Sequence, residues 1–224
     1  NYMAATRGTG RLMLFACDQK VEHMNGDFYG EGIDIADLDP EHLFKIADQG
    51  VCGVMAGQRG LIARYAADYP DVNYLVKMNS KTNLVKTSQD DPYSGQLHDL
   101  EAVLAMREAG VNIVGLGYTL YLGSEYESTM LSEAGQLIAE MAQSMHGFDT
   151  MAFSAGIGEN SDVLRAGVAR ELEWLGVSLD PKKNELRSDD PRVISTDDSK
   201  IKVLVVPTNE ELMIALDVEE LLHS

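Results

Sequence analysis

Between Leu12 and Gly117 the chain repeats one pattern, an apolar run of strand length followed by a helix-periodic stretch, and this alternation constrains the fold most. The first run, Leu12 to Ala16, reads as a buried strand and delivers Cys17, Asp18, Gln19 and Lys20 at its carboxyl end. After a loop rich in Gly and Asp, Asp39 caps a helix with Pro40 at its first position, Leu43, Ile46 and Ala47 on one face and Gly50 closing it. Val51 to Ala56 is the next strand, and Gly57 leads to a helix through Leu61, Ile62 and Tyr65. Tyr74 to Met78 repeats the strand. A long polar loop then precedes a helix from Asp99 to Ala109, Gly110 and a strand from Val111 to Gly117. Strands that alternate with helices predict a parallel sheet with right-handed crossovers.

Polar groups recur just beyond the strands, at Asp18, Gln58, Asn79, Lys81, Tyr118 and Tyr121. In parallel α/β folds, chemistry sits at that end of the sheet. A closed (β/α) barrel needs eight such units and about 250 residues, whereas roughly four precede residue 131. The predicted fold class is therefore α/β with about the first half of a TIM barrel, whose edge strands face solvent or a partner. Lys77, inside an apolar strand, is a candidate for an amine of altered acidity. Asp18 is read either as a site carboxylate or as a turn cap. Lys81 and Lys86 read as solvated loop charges, and Tyr118 and Tyr121 as packing residues with wet hydroxyls.

The net charge of -18 sets a repulsive field against nucleic acid and acidic membrane, so a phosphorylated ligand must be held by local donors. Apolar runs fall short of the roughly 20 residues that cross a bilayer. Cys17 and Cys52, in apolar runs without CxxC spacing, read as reduced thiols, which suits the cytoplasm. The chain opens with Asn1 and Tyr2 without a basic-then-apolar leader and reads as a fragment.

From Leu131 to Asn160 the pattern changes character. A helix carrying Leu137, Ile138, Met141, Ala142 and Met145 ends near Gly147. A strand from Asp149 to Ala155 follows, and Gly156, Ile157, Gly158, Glu159 and Asn160 form a tight loop that opens onto a helix, a setting suited to a phosphorylated ligand. Ser161 breaks the dinucleotide fingerprint here, and Leu120 breaks it after Gly115 and Gly117. The next helix places Leu164, Val168, Leu172 and Leu175 on one face and stops at Gly176. Residues 180–198 read as a charged surface excursion, and Ile201 to Val206 as a β-branched strand. Thr208 and Glu211 have capping-box spacing, and Glu210 beside them is also read as a complement to the helix dipole.

The segments DQKVEH, LIARYAADYPD, YLVKMNSKTNLVKTSQDDP and GYTLYLGSEYESTMLSEA, between about Arg11 and Gln136, resemble class I fructose-bisphosphate aldolases of the DhnA-like type. That resemblance implies a barrel that cleaves or forms fructose 1,6-bisphosphate through a lysine Schiff base, with no cofactor and with Asp18 as the first-strand acid. The family's Tyr-Pro-Arg-Gly strand, its Schiff-base lysine strand and its closing phosphate loops have no counterpart here.

FSAGIGENS, ELEWLGVSLDPKKN and VISTDDSKIKVLVVPTNEELMIA, between about Ile138 and Leu222, are similar to the carboxyl-terminal part of acetate kinase, an actin-like sugar-kinase fold. This second resemblance implies ATP at Gly156, Ile157, Gly158 and Asn160, and Mg²⁺ at Glu210. Leu216 stands where many members have Arg, and the amino-terminal domain with its acyl-binding arginines is lacking. The expected organisation is an aldolase-like half barrel over residues 1–137 joined to a kinase-like segment over 138–224. Expected partners are small phosphorylated metabolites or a nucleotide, neither nucleic acid nor membrane, with a homo-oligomer left open. Three functions follow: an aldolase, an acyl kinase, or a non-catalytic fusion or misjoined product.

Overall fold

The computed structural model describes residues 2–9, 12–19, 28–81, 91–144, 146–207 and 218. The chain divides into two compact units, Asn1–Glu133 and Ala134–Ser224. The first is built on a four-stranded sheet, β1 (Leu14–Ala16), β2 (Val54–Gln58), β3 (Tyr74–Lys77) and β6 (Ile113–Gly117), ordered β1-β2-β3-β6 with every pair parallel. Its helices are α1 (Tyr2–Ala5), α2 (Glu41–Gln49), α3 (Arg59–Tyr65) and α4 (Leu100–Glu108). The expected α/β class and parallel sheet are therefore present.

Alternation assigns the two faces of this sheet. Tyr74 lies under Phe44 of α2, with ring centroids 6.0 Å apart, and a Cβ at Gly57 would touch Ile62 of α3. Met55, Gly57, Tyr74 and Val76 thus point toward the helices and form a core with Phe44, Ala47 and Ile62. Ile46, expected on the buried face of α2, is exposed, because Phe44 and Ala47 take that face instead. The opposite face carries Ala16, Ala56, Leu75 and Gly115, and at the strand ends Gln58, Lys77 and Gly117.

Three expectations for this unit change. Strand β2 begins at Val54 rather than Val51, which is 81% exposed, and it reaches Gln58. The first strand is not buried: Leu12, Met13 and Leu14 are 57, 60 and 41% exposed, because β1 is an edge of the sheet. Within the long polar loop, β4 (Asn79–Ser80) and β5 (Gly95–Gln96) pair as a short antiparallel ladder.

Helix α5 (Glu127–Ser144) begins before the expected Leu131 and runs through the boundary between the units. The second unit contains β7 (Thr150–Ser154), α6 (Ala155–Asn160), α7 (Asp162–Glu171), α8 (Pro181–Glu185), β8 (Arg192–Val193) and β9 (Lys202–Val206). The sheet order is β7-β9-β8, parallel between β7 and β9 and antiparallel between β8 and β9. Residues 180–198 are thus more than a surface excursion, since they supply α8, β8 and the buried Asn184, Ile194 and Ser195. Leu164, Val168 and Leu172 are buried as expected, and Gly176 closes the turn with φ +92°. Among the described residues, no helix is long and apolar enough to cross a membrane.

Candidate functional site

The polar rim lies at the carboxyl ends of β1, β2, β3 and β6. Lys77 ends β3 with its side chain 9% exposed, and its Nζ donates a short hydrogen bond to Asp18 Oδ2, two residues beyond β1. Gln58 ends β2 opposite Lys77 in the register, 4% exposed. At the end of β6 a Cβ on Gly117 would lie 2.6 Å from Leu75 Cδ2, so any larger residue there would have to displace the Leu75 side chain. Asp18, Gln58 and Lys77 therefore come together at the ends of three neighbouring strands.

Beyond this layer the rim is held by a hydrogen-bond network. Asn79 Nδ2 donates to the carbonyls of Ser94 and Thr119, and its Oδ1 accepts from Thr119 N. The Glu133 carboxylate accepts from the Tyr118 and Tyr93 hydroxyls and from Gln96 N. The Tyr118 hydroxyl is engaged by Glu133: burial first, then that bond, pushes its pKa far above the ordinary tyrosine value. Glu133 carried no sequence signal, since a helical glutamate reads as a solvated surface residue. Cys17 is buried, and burial, then Cys52 and Asp18, pushes its thiol up to about 12. Lys86 lies outside the described residues.

In the second unit the expected glycine loop is a short helix. Residues 155–160 make α6, and neither Gly156 nor Gly158 has a positive φ. Glycine is a poor helix former, at about 1 kcal/mol per residue, but the turn is fastened from outside. Arg165, buried at 0% exposure, donates from Nη1 to the carbonyls of Gly158 and Glu159 at 2.8 Å. It also donates to Asn184, from Nε to Oδ1 at 2.7 Å and from Nη2 to O at 2.6 Å. Burial, then the positive charges of Arg192 and Arg187, lowers its pKa. Sequence reasoning missed Arg165, although a cation inside the apolar stripe of α7 between Leu164 and Val168 was a visible anomaly.

The residues expected to hold ATP lie on this turn. Gly156, Ile157 and Asn160 are exposed, and a Cβ at Gly156 would meet nothing within 4 Å, so a ligand has room to approach the backbone there. Asn160 Nδ2 donates to Gly156 O, while Arg165 and Arg187 both donate to carbonyls of the turn. These bonds hold the carbonyls of the turn and leave its Gly156 face open. Glu210, the expected Mg²⁺ residue, lies outside the described residues. Among those described, no three His, Cys, Asp or Glu groups cluster as a metal site. A small cleft lined by Arg7, Asp48, Asp71 and Asn73 lies at the amino ends of β2 and β3, opposite the rim.

The family model for DeoC/LacD aldolases matches residues 12–153, well over half of the chain. The chain belongs to the DeoC/LacD family of aldolases. The Acetokinase family model matches residues 126–216, so the two matches overlap over 126–153. The fructose-bisphosphate aldolase/6-deoxy-5-ketofructose 1-phosphate synthase of Methanocaldococcus jannaschii is 46% identical over 198 residues, covering 85% of this chain and 62% of that protein. The solved structure of fructose-bisphosphate aldolase from Slackia heliotrinireducens is 73% identical with a TM-score of 0.60, covering 78% of this chain and 56% of that one. Acetate kinase 1 of Latilactobacillus sakei is 40% identical over 144 residues, 64% of this chain and 32% of that protein. This DeoC/LacD family chain thus spans about six-tenths of its aldolase relatives and about a third of the kinase. It joins an aldolase sequence to a fragment of acetate kinase type.

Proposed function

We propose that the first unit is the amino-terminal half of a class I fructose-bisphosphate aldolase barrel. Its rim then binds a phosphorylated ketose through the groups at the ends of β1, β2 and β3. The observation that carries this reading is the Lys77–Asp18 ion pair, which brings a carboxylate and an ammonium together where a parallel α/β sheet binds its ligands. In aldol cleavage through a Schiff base a carboxylate takes the proton of the substrate hydroxyl, and that oxygen becomes the new carbonyl as the adjacent carbon–carbon bond breaks. The released pair forms the double bond of an enamine while the iminium π pair returns to nitrogen. The amine of that iminium is assigned to none of the described residues. Asp18 suits the proton transfer. A Schiff-base amine attacks with a free lone pair, whereas Lys77 donates hydrogen to Asp18, so Lys77 is assigned to holding that carboxylate and not to the nucleophile.

The test is calorimetric titration with fructose 1,6-bisphosphate, alongside borohydride treatment with dihydroxyacetone phosphate and intact-mass measurement. Saturable binding that weakens on Lys77→Met, with no added mass, supports the reading. Absence of binding removes it, and a borohydride-dependent adduct at Lys77 makes that residue the nucleophile instead.

The open turn at Gly156, within the stretch matched by the Acetokinase model, favours a second reading, in which the second unit holds Mg-ATP as part of a phosphotransferase site. A Cβ at Gly158 would make only ordinary contacts with Phe153, so Gly158→Ala should fold, and ATP binding that it weakens would report a ligand contact. If the wild-type chain shows no saturable Mg-ATP binding, the second reading fails. A third possibility, a non-catalytic fusion, is what remains if neither ligand binds.

A further inference from the structure

Among the described residues of the rim, the Ser94 hydroxyl is buried without a partner, and Gln58 leaves both ends of a side-chain amide idle. Its Oε1 and Nε2 are both buried without a partner in the described structure, in a residue only 4% exposed. Asn79, a carboxamide buried on the same rim, has both ends engaged by Ser94 and Thr119. A buried amide with nothing to bond is unfavourable, and an apolar residue of the same shape would serve packing better.

Its surroundings point the amide at a ligand. Gln58 pairs with Lys77 in the β2–β3 register, so the two side chains share a face on strands about 4.8 Å apart. Ala16 pairs with Ala56, which sets Asp18, two residues on, level with Gln58. The Lys77–Asp18 bridge therefore runs from β3 to β1 past the β2 strand between them, beside the idle amide. Charge is balanced within the pair, and what Gln58 adds is one neutral donor next to one neutral acceptor.

Resting on the aldolase reading, we infer that Gln58 is a specificity-determining residue that grips two adjacent oxygens of a hydroxylated sugar phosphate. Nε2 donates to one oxygen and Oε1 accepts the hydrogen of the neighbouring hydroxyl. No proton is transferred; the amide selects ligands that carry such an oxygen pair over equally charged ones that lack it.

The test uses the full chain and two probes with the same phosphates, fructose 1,6-bisphosphate and hexane-1,6-diol bisphosphate, which has no hydroxyls. Gln58→Leu and, as a length-matched second variant, Gln58→Met should each weaken fructose 1,6-bisphosphate binding about five- to tenfold. They should leave hexanediol bisphosphate binding within twofold and the ligand-free melting midpoint unchanged or higher. Unchanged binding of both probes, or an equal loss for both, overturns the role of Gln58 while leaving the aldolase reading intact. Wild-type chain that binds neither probe overturns the aldolase reading and the inference with it.

Discussion

Replacing Arg165 with Met should open the α6–α7 corner of the second unit and leave the first unit untouched. Arg165 makes four hydrogen bonds of 2.6 to 2.8 Å, to Asn184 and to the carbonyls of Gly158 and Glu159. A bond with one charged partner contributes about 1.5–3 kcal/mol net, so four would sum to roughly 6–12 kcal/mol if they were independent. They are not independent, because one guanidinium makes them all. The variant also recovers the cost of burying a cation that has no carboxylate among these partners. A net loss of about 2–4 kcal/mol remains, mostly from buried carbonyls left without donors.

Hydrogen exchange read by mass spectrometry is the suitable assay, because a chain of two units has no single unfolding free energy. Amides of residues 155–172 should exchange about thirty- to a thousandfold faster in Arg165→Met, while β2 and β3 keep their protection. Arg165→Lys should recover little, since an ammonium lacks the planar fork that reaches Asn184 and the turn together. Arg170→Met, at an exposed position on α7, is the control. Exchange within about threefold of wild type in Arg165→Met would refute the assignment of Arg165 as the clamp on α6.

Three further outcomes follow from the first unit. Burial, then the charge of Arg59, lowers the pKa of His98 below its ordinary 6.5. The unfolded chain therefore binds the extra proton first, and His98 costs stability as pH falls through 6.5 toward the folded value. The melting midpoint of wild type relative to His98→Gln should accordingly drop between pH 7.5 and 5, and a constant difference would contradict this. Cys17, buried with its thiol pushed up to about 12, should resist iodoacetamide at pH 8 until denaturant is added, as peptide mapping would reveal; native alkylation at the rate of Cys52 would count against it. Gly53→Ala would place a Cβ 2.0 Å from Ala5 O, so α1 must shift, breaking the bond from Asn73 Nδ2 to Ala4 O. A local loss of about 1–3 kcal/mol is expected, read as roughly five- to a hundredfold faster hydrogen exchange in residues 54–58, and unaltered exchange there would show that α1 yields freely.

The first unit was legible because its signals are local. Apolar runs, the capping Asp99 and the closing Gly110 place α4, β3 and β6 within a residue or two of expectation. The polar strand ends Asp18, Gln58 and Asn79 were visible for the same reason. Three features were not legible, and each depends on a neighbour outside the element's own local pattern. Exposure of Leu12, Met13 and Leu14 follows from the place of β1 in the sheet order. The bond between Tyr118 and Glu133 needs a helix to cross the rim. The turn of Gly156 to Asn160 was read as a loop because two glycines argue against a helix, and the cation that fastens it comes from the next helix. The pairing of Lys77 with Asp18 lies between these cases: both ends were noted, but 59 residues separate them.

The two family matches overlap on a helix. Both models claim residues 126–153, and α5 occupies Glu127–Ser144 within that stretch. Buried Met130, Leu131, Ala134, Leu137 and Ala142 recur at helical spacing straight across the boundary between Glu133 and Ala134. A helix is specified by neighbours three and four residues away, so a join inside one asks only that the apolar stripe stay in phase. A join inside a parallel strand would have to supply a matching partner from far along the chain, because its hydrogen bonds are not local. The parallel sheet still ends at β1 and β6, with no further strand beside either among the described residues. Most local signals agree with the elements they build, while among the described residues the first sheet keeps two unpaired edges. That is the conflict between local and global specification expected when two partial domains are joined.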